Sequence, residues 1–504
     1  MQLSTKPTLD RLLAGIAVAP ALPITGISSD SRALEPGNVF FACQGAASHG
    51  LDYLDQAMAA GVSAVVWDSR SKAYSPSNSA VFMIPVTGLD RHLGEIANRW
   101  FDSPSQHMRV AGVTGTNGKT TVAFLIAQCM QRLDRRCAYL GTLGAGIENP
   151  VSGAVMTTPA CIELHRDLAE FRSQGAGHVA MEVSSHALHQ NRVDGVQFDT
   201  AIFTNLSRDH IDYHGDMQAY GDTKARLFLD RELEYRIVNI DAEFGRQLAA
   251  RCGADGKGVV LVSTGRAAKA GTGRQYVILR AIDADAEGSV VEVTGCWGDA
   301  TFRLPLAGAF NVANTALVLA QLLCWGVPLA DAADTLAAVS PPPGRMQRVE
   351  SGQPAPAVYV DYAHTPAGLE VVLESLRRHC KGRLWCVFGC GGDRDRGKRP
   401  LMGATVARLA DRAIVTNDNP RFENPGDIIA AVLAGMDERA LAIPDRAAAI
   451  ACAIAEADDD DIVLVAGKGH ENVQLVGGQR LPFSDYETAR ANLLARSAIP
   501  GYRQ

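Results

Sequence analysis

The sequence predicts an α/β protein of three domains, and three observations carry that reading. At 504 residues, the chain has room for about three domains of ordinary size. Short apolar runs suited to buried strands alternate with stretches of helical periodicity, the pattern of a mostly parallel sheet covered by helices. Finally, Ser340-Pro-Pro-Pro-Gly-Arg345 interrupts a helical run that ends near Val339. Proline removes backbone donors and restricts the residue before it, so this is a linker or hinge.

Residues 1–95 read as a small N-terminal α/β domain, with strand-like runs at 39–41, 64–67 and 80–85 and a helix near 53–60. Residues 96–340 form a central domain. Its strand at 108–114 leads into a glycine-rich turn and then a helix, on which Val122, Leu125, Ile126 and Cys129 recur at helical spacing. Further buried strands are expected at 178–183 and 200–204, and strand-like alternation at 258–301 suggests a β edge or insertion. Residues 341–504 form the third domain, an open α/β sheet with strands at 357–360, 383–388, 412–416 and 461–466, each with a loop at its carboxyl end.

Composition narrows the function. With 47% hydrophobic and 20% charged residues the chain is globular, and a formal charge of −7 without a basic run interleaved with aromatics argues against nucleic acid. Eleven cysteines include no CxxC pair, and Cys386 and Cys390 have the wrong spacing for a zinc knuckle, so reduced thiols are expected. No apolar run reaches the ~18 residues of a membrane span, and the start lacks a cleavable leader pattern. A soluble cytoplasmic protein without membrane insertion is expected.

The strand, turn and helix at 108–130 hold the stretch Gly112-Val-Thr-Gly-Thr-Asn-Gly-Lys-Thr-Thr121. Such a turn points backbone amides at phosphate, here from Gly115, Thr116, Asn117 and Gly118. Lys119 would lie near the β- and γ-phosphates, Thr120 would put its hydroxyl on Mg²⁺, and Thr121 completes the helix start. The first glycine of GxxxxGK[ST] is replaced by Val113, so this is a variant P-loop. Glu182, in Met181-Glu-Val-Ser-Ser-His-Ala-Leu188, is a candidate Mg²⁺ ligand because that ion prefers oxygen. His210, Asp212 and His214 form a polar cluster for which hydrogen bonding is the plainer reading of the last two. Lys224 by itself reads as a helical surface lysine.

These segments, in order, resemble the Mur ligases of cell-wall synthesis over nearly the whole chain. The resemblance also rests on Asp30-Ser-Arg32, Thr157-Thr-Pro159, Asn205-Leu-Ser-Arg-Asp-His210, Phe310-Asn-Val-Ala-Asn314, Pro343-Gly-Arg345 and Asp361-Tyr-Ala-His-Thr-Pro366. It continues through Gly391-Gly-Asp-Arg-Asp-Arg-Gly-Lys-Arg399, Asp418-Asn-Pro-Arg421 and Gly467-Lys-Gly-His-Glu471. It implies a UDP-substrate-binding N-terminal domain, a P-loop ATPase-like central domain and a Rossmann-like C-terminal domain that binds the amino acid. The implied reaction uses ATP to phosphorylate a carboxylate of a UDP-linked muramoyl dipeptide, and an incoming amine displaces phosphate.

Residue by residue, the resemblance places Lys119 and Thr120 on phosphate and Mg²⁺, with Lys119, His210 and Lys224 in catalysis. Glu182 and His210 become metal ligands. Lys224 falls where the family carries a carbamylated lysine, formed with carbon dioxide, whose oxygens help hold a second Mg²⁺. Asn314, Arg345 and Asp361 hold the nucleotide, with His364 in the same motif, and domain closure would deliver Arg345 to the phosphates. Ser31 lies near the uridine, and Thr157, Thr158, Ser184, Gln190 and Arg192 contact the muramoyl peptide. The motif Asp418-Asn419-Pro420-Arg421 matches members that add meso-diaminopimelate to UDP-N-acetylmuramoyl-L-alanyl-D-glutamate. Arg421 would grip the distal carboxylate, Glu471 would accept from the distal ammonium, and Gly467 and Arg394 would lie nearby. A monomer is expected. Rival readings are a plain P-loop ATPase, a folate-extending relative and an inactive scaffold.

Overall fold

The computed structural model describes residues 6–45, 48–70, 72, 81–148, 156–252, 258–265, 274–285, 288–350, 355–438 and 440–497. The chain divides into two compact units, one of residues 1–114, 130–202 and 221–236, the other of 115–129, 203–220 and 237–504.

In the first unit, Gly26–Ser28, Asn38–Ala42, Ala64–Asp68 and Phe82–Val86 form a parallel four-stranded sheet in sequence order. The last three are the strands expected there, whereas Gly26–Ser28 was not foreseen; Ala80 lies outside the described residues, and the expected helix runs Leu54–Ala59. All side chains of Asn38–Ala42 and Ala64–Asp68 are buried, which explains why both read as continuous apolar runs. Helix Leu89–Phe101 closes one face through Leu89, Leu93, Ile96 and Trp100. The same unit carries parallel strands Arg109–Thr114, His178–Glu182 and Cys137–Gly141, with His178–Glu182 in the middle. Their register sets Glu182 opposite Val113, at the carboxyl end of the strand that leads into the glycine turn.

In the second unit, helix Lys119–Arg132 starts directly after that turn. Strand Val259–Ser263 pairs parallel with Gln275–Asp285, which continues as an antiparallel meander through Gly288–Gly295 and Gly298–Leu304. The strand-rich stretch expected at 258–301 is this meander, although 266–273 and 286–287 lie outside the described residues. Helix Leu329–Leu336 ends earlier than the sequence suggested. Ala338 and Val339 bond back to Thr335 and Leu336, three residues behind, so the last turn tightens before the prolines.

The remaining sheet has the order Gln347–Val349, Ala357–Asp361, Ile462–Ala466, Leu384–Phe388, Arg412–Val415 and Ala440–Ala442. Only the first pair is antiparallel. One face is covered by Leu369, Met402 and Ile428 from three helices, the other by Ile450 and Leu493 from two more. Loops from the carboxyl ends of these parallel strands gather at one edge, where open α/β sheets bind ligands.

Candidate functional site

The glycine turn is shaped by backbone that a side chain would obstruct. Gly115 and Gly118 have φ of +146° and +84°. A Cβ on Gly115 would stand 1.9 Å from Thr204 Oγ1, and one on Gly118 would stand 2.4 Å from Asn314 Oδ1. The neighbouring segment braces the turn: Thr116 N donates to Asn205 O (2.9 Å), Asn117 N to Asn205 Oδ1 (3.0 Å), and Thr204 Oγ1 to Asn117 O (2.6 Å). Lys119 Nζ donates to Gly115 O (3.0 Å) and Thr116 O (2.9 Å), arching over the turn. The helix behind it has no acidic residue in its first turn, as an anion site requires.

Arg345 reaches this turn, its Nη2 donating to Thr120 Oγ1 at 3.2 Å. The guanidinium lies 4.4 Å from the ring centre of Tyr362. Asp361 fixes the loop that carries Arg345 by accepting from Met346 N and Ala363 N, each at 2.7 Å. Burial pushes the Asp361 carboxyl above its ordinary value, against the pull of Arg345 and those two amides. Lys119, Thr120, Asn314, Arg345 and Asp361 therefore form one group in the second unit. His364 is exposed, with its carbonyl accepting from Lys398 Nζ at 3.0 Å.

A second group lies in the first unit. Glu182 is 0% exposed. Its Oε1 accepts from Tyr139 Oη (2.7 Å) and Thr142 N (2.8 Å), and its Oε2 from Thr142 Oγ1 (3.2 Å). Gly141 makes room for it, since a Cβ there would stand 2.2 Å from Oε1. Thr158 Oγ1 donates to Glu182 O (2.8 Å) and accepts from Ser184 N (3.1 Å), and Thr158 O accepts from Arg192 Nη1 (3.1 Å). Arg192 Nε donates to Gln190 Oε1 (2.9 Å), and Thr157 Oγ1 accepts from Thr142 Oγ1 (3.2 Å). Thr157, Thr158, Glu182, Ser184, Gln190 and Arg192 are thus one bonded cluster. Beside it opens a cavity of about 930 Å³ lined by Ser31, Arg32, Tyr53, Gly141 and Pro159 among others. That volume suits a nucleotide-sized ligand.

Lys224 corrects the plain sequence reading: on helix Met217–Leu229 it is 1% exposed, not a surface lysine. His210 is the reverse case, with its side chain 46% exposed and its backbone left-handed at φ +54°.

The third group sits on strand-end loops of the six-stranded sheet. Asp418 and Asn419 are buried. Gly467 has φ +115°, and a Cβ on it would stand 2.6 Å from Asp418 Oδ2. Asn419 Nδ2 donates to Glu471 Oε2 (2.8 Å), which joins the two loops. Arg421 has φ +53°, and its backbone is clamped by Leu475 O (2.9 Å) and Gly477 N (2.7 Å). Its Nη1 donates to Gly392 O (2.6 Å), and its remaining guanidinium donors make no hydrogen bond among the described residues. Pro420 turns the chain between Asn419 and Arg421, and its carbonyl accepts from Glu423 N at 3.1 Å. Arg394 is exposed, without a hydrogen bond or ion pair among the described residues, and its charge acts on Tyr362, as do those of Glu471 and Asp418. Of eight non-glycine residues with positive φ among the described ones, His210, Met346, Asp393 and Arg421 lie in the loops described above.

The sequence did not single out the residues that hold these groups in place. Tyr139 and Thr142 fix Glu182, and Tyr362 supports Arg345. Arg446 and Asp485 form a fully buried ion pair at 2.7 Å. Arg446 also donates to Asn417 O (3.2 Å) and Ala466 O (2.9 Å), the residues just before Asp418 and Gly467. Arg399, 3% exposed, binds Glu423 through both carboxylate oxygens at 2.9 and 3.1 Å. Each partner is remote in sequence, so local spacing carries no signal for these pairings.

Glu423 yields an acid-stability prediction. Hydrogen bonds from Arg399, then the Asp393 amide, hold its carboxyl down at about 2. Its folded value lies below the unfolded one of about 4.3, so its contribution is complete above that pH and is lost as pH falls toward 2. Wild type is expected to melt above Glu423→Gln at pH 7, with the gap closing between pH 4.3 and 2 in thermal scans. A gap independent of pH would show that the carboxylate charge contributes nothing.

Known proteins bear on these groups. Family models described as the Mur ligase family catalytic domain, the Mur ligase middle domain and the Mur ligase glutamate ligase domain match residues 23–101, 113–322 and 344–469. A UDP-N-acetylmuramoyl-L-alanyl-D-glutamate--2,6-diaminopimelate ligase from Alkalilimnicola ehrlichii is 46% identical over 92% of this chain and 94% of its own. One of the same name from Pseudomonas aeruginosa is 43% identical over 94% and 96%. A solved structure of a ligase of that name has a TM-score of 0.67 at 33% identity, covering 98% and 100% of the two chains. A folylpolyglutamate synthase from Mycobacterium tuberculosis shares the fold, with a TM-score of 0.60 at 19% identity over 80% of this chain and 94% of its own.

Proposed function

We propose that this chain, which belongs to the Mur ligase family, joins meso-2,6-diaminopimelate to UDP-N-acetylmuramoyl-L-alanyl-D-glutamate at the expense of ATP, a step of peptidoglycan synthesis. The observation that carries the choice of amino acid is the pairing of Arg421 and Glu471 on loops joined through Asn419. One offers guanidinium donors to a second carboxylate, the other a carboxylate oxygen to a second ammonium.

The chemistry follows from charge. The dipeptide carboxylate and ATP repel each other, and a carboxylate is a poor electrophile. Lys119 and Arg345 bring two positive charges to the phosphate side, easing the approach and steadying the transferring phosphoryl group. The carboxylate oxygen bonds to the γ-phosphorus as ADP leaves. The amine then attacks the carbonyl carbon of that acyl phosphate, loses a proton, and phosphate departs with the bonding pair, leaving an amide. Arg192 suits an anionic oxygen of the muramoyl peptide, and Ser31 the uridine end in the cavity beside it.

Two of the three proposed donors, the Thr120 hydroxyl and the Glu182 carboxylate, are oxygens of the kind Mg²⁺ takes, and His210 offers a ring nitrogen. Thr120, Glu182 and His210 are the proposed holders, with the cradle that Gly141 leaves for Glu182 in support. When bound, the ion neutralises phosphate charge. Lys224 is proposed to be carbamylated: its uncharged amine adds carbon dioxide and releases a proton, exchanging a buried cation for an anion with oxygen donors suited to a second Mg²⁺. Protein prepared under ¹³C-labelled carbon dioxide is expected to give a carbamate carbon signal that is absent from Lys224→Arg; an identical signal in both would end this assignment. The division into three domains near residues 95 and 340 is part of this proposal, supported by three separate family spans, the first of which runs past 95 to residue 101. A monomeric cytoplasmic enzyme is proposed; no helix among the described residues is long and apolar enough to cross a membrane.

The test measures ADP and phosphate release with ATP, Mg²⁺ and the dipeptide substrate, with meso-diaminopimelate, L-lysine or no amino acid, and weighs the product. Turnover far faster with diaminopimelate than with lysine is expected. Comparable turnover with lysine would break the assignment of Arg421, and turnover with a folate instead of the dipeptide would break the function.

A further inference from the structure

We propose that Lys468 decides which amino acid the C-terminal pocket accepts, by occupying one carboxylate oxygen of Glu471 and balancing its charge; this rests on the ligase reading above. Lys468 is 0% exposed. Its Nζ donates to Asn419 Oδ1 (3.0 Å) and Glu471 Oε2 (2.8 Å). Asn419 Nδ2 donates to the same Oε2 (2.8 Å), and Leu475 N holds Asn419 Oδ1 at 2.9 Å. Oε2 of Glu471 therefore has two partners, while Oε1 has no hydrogen bond among the described residues. That leaves a single oxygen, in a fixed orientation, for an incoming ammonium.

The charge count gives the specificity. Asp418 and Glu471 contribute two negative charges and Arg421 and Lys468 two positive ones, so these four side chains sum to zero. The distal end of diaminopimelate, one ammonium and one carboxylate, is also neutral. The distal end of L-lysine is a bare cation. A balanced pocket favours the neutral pair, and without Lys468 the sum falls to −1, which favours the cation. Since Lys468 is shielded from water, solvent does little to screen this difference.

The experiment compares wild type with Lys468→Met and Lys468→Gln, the second retaining a donor without the charge. For each, kcat and KM are measured for meso-diaminopimelate, L-lysine, ATP and the dipeptide. The expected result is a rise of about tenfold or more in KM for diaminopimelate, with KM for ATP and dipeptide within about twofold. The diaminopimelate-to-lysine ratio of kcat/KM should fall at least about tenfold. Because Lys468 acts through Glu471, adding Lys468→Met to Glu471→Gln should lower kcat/KM for diaminopimelate little further. An unchanged ratio in the folded variants, or independent losses in the double variant, overturns the proposal alone. If Lys468→Met fails to fold, the Lys468→Gln ratio decides. No amide product from wild type overturns the ligase reading and this proposal together.

Discussion

Lys119→Met is expected to lower kcat by about 10²–10³-fold or more while leaving the melting temperature nearly unchanged. Methionine keeps most of the apolar stem and removes only the charged head. In the structure that head bonds to Gly115 O and Thr116 O, carbonyls of its own turn, at 3.0 and 2.9 Å. The turn has other supports: Asn205, Thr204 and the close approach of Asn314 to Gly118 all remain. Folding therefore has little to lose, whereas phosphoryl transfer loses a positive charge that needs no reorganisation as the charge moves. Arg345 does not replace it, because Tyr362 and Thr120 hold its guanidinium at the helix start. Single-turnover ADP release and thermal scans make the comparison. A loss below tenfold would remove Lys119 from the chemistry, and a large drop in melting temperature would make the turn's fold its main task.

The same turn shows what the sequence made legible. Strand, glycines, lysine and helix lie within about twenty residues, and local spacing suffices to read them. Four of the six strands of the C-terminal sheet were legible for a similar reason, since buried parallel strands are continuous apolar runs, whereas the short edge strands Gln347–Val349 and Ala440–Ala442 are not and were missed. Lys224 was not, because helical periodicity records the burial of apolar side chains and a lysine in the pattern counts as surface. Only packing shows it at 1% exposure. The resemblance, not the residues, had singled it out.

Other parts were hidden by distance along the chain. Glu182 was noticed as an acid in an apolar setting, but its partners Tyr139 and Thr142 come from a strand end about forty residues earlier. Arg446 and Asp485 are 39 residues apart and meet only because their helices cover the same face of the sheet. Arg394 is placed near the pocket by its motif, and its side chain is exposed. A loop position fixes where the backbone passes and leaves a long side chain free, whereas Arg421 is held by a left-handed backbone bonded on both sides.

That clamping makes Arg421→Ala the sharpest test of substrate choice. The expected result is a fall of about 10³–10⁴-fold in kcat/KM for meso-diaminopimelate, with L-lysine changed by less than about fivefold. Two charge-assisted hydrogen bonds are at stake, each contributing about 1.5–3 kcal/mol, and the orphaned carboxylate carries a desolvation penalty as well. Sites built to bond a substrate group commonly reject an analogue lacking it by 10⁴–10⁵, which bounds the effect from above. The guanidinium is already oriented before any substrate binds. Its Nη1 is held by Gly392 O at 2.6 Å. Little entropy is then lost on binding, and the bonds contribute nearly in full. Arg421→Lys should recover only part of the loss, since an ammonium supplies the charge without the fork. Equal losses for both amino acids would mean that Arg421 shapes the loop without reading the carboxylate. Diaminopimelate kinetics within tenfold of wild type would place that carboxylate elsewhere, with exposed Arg394 the next residue to replace.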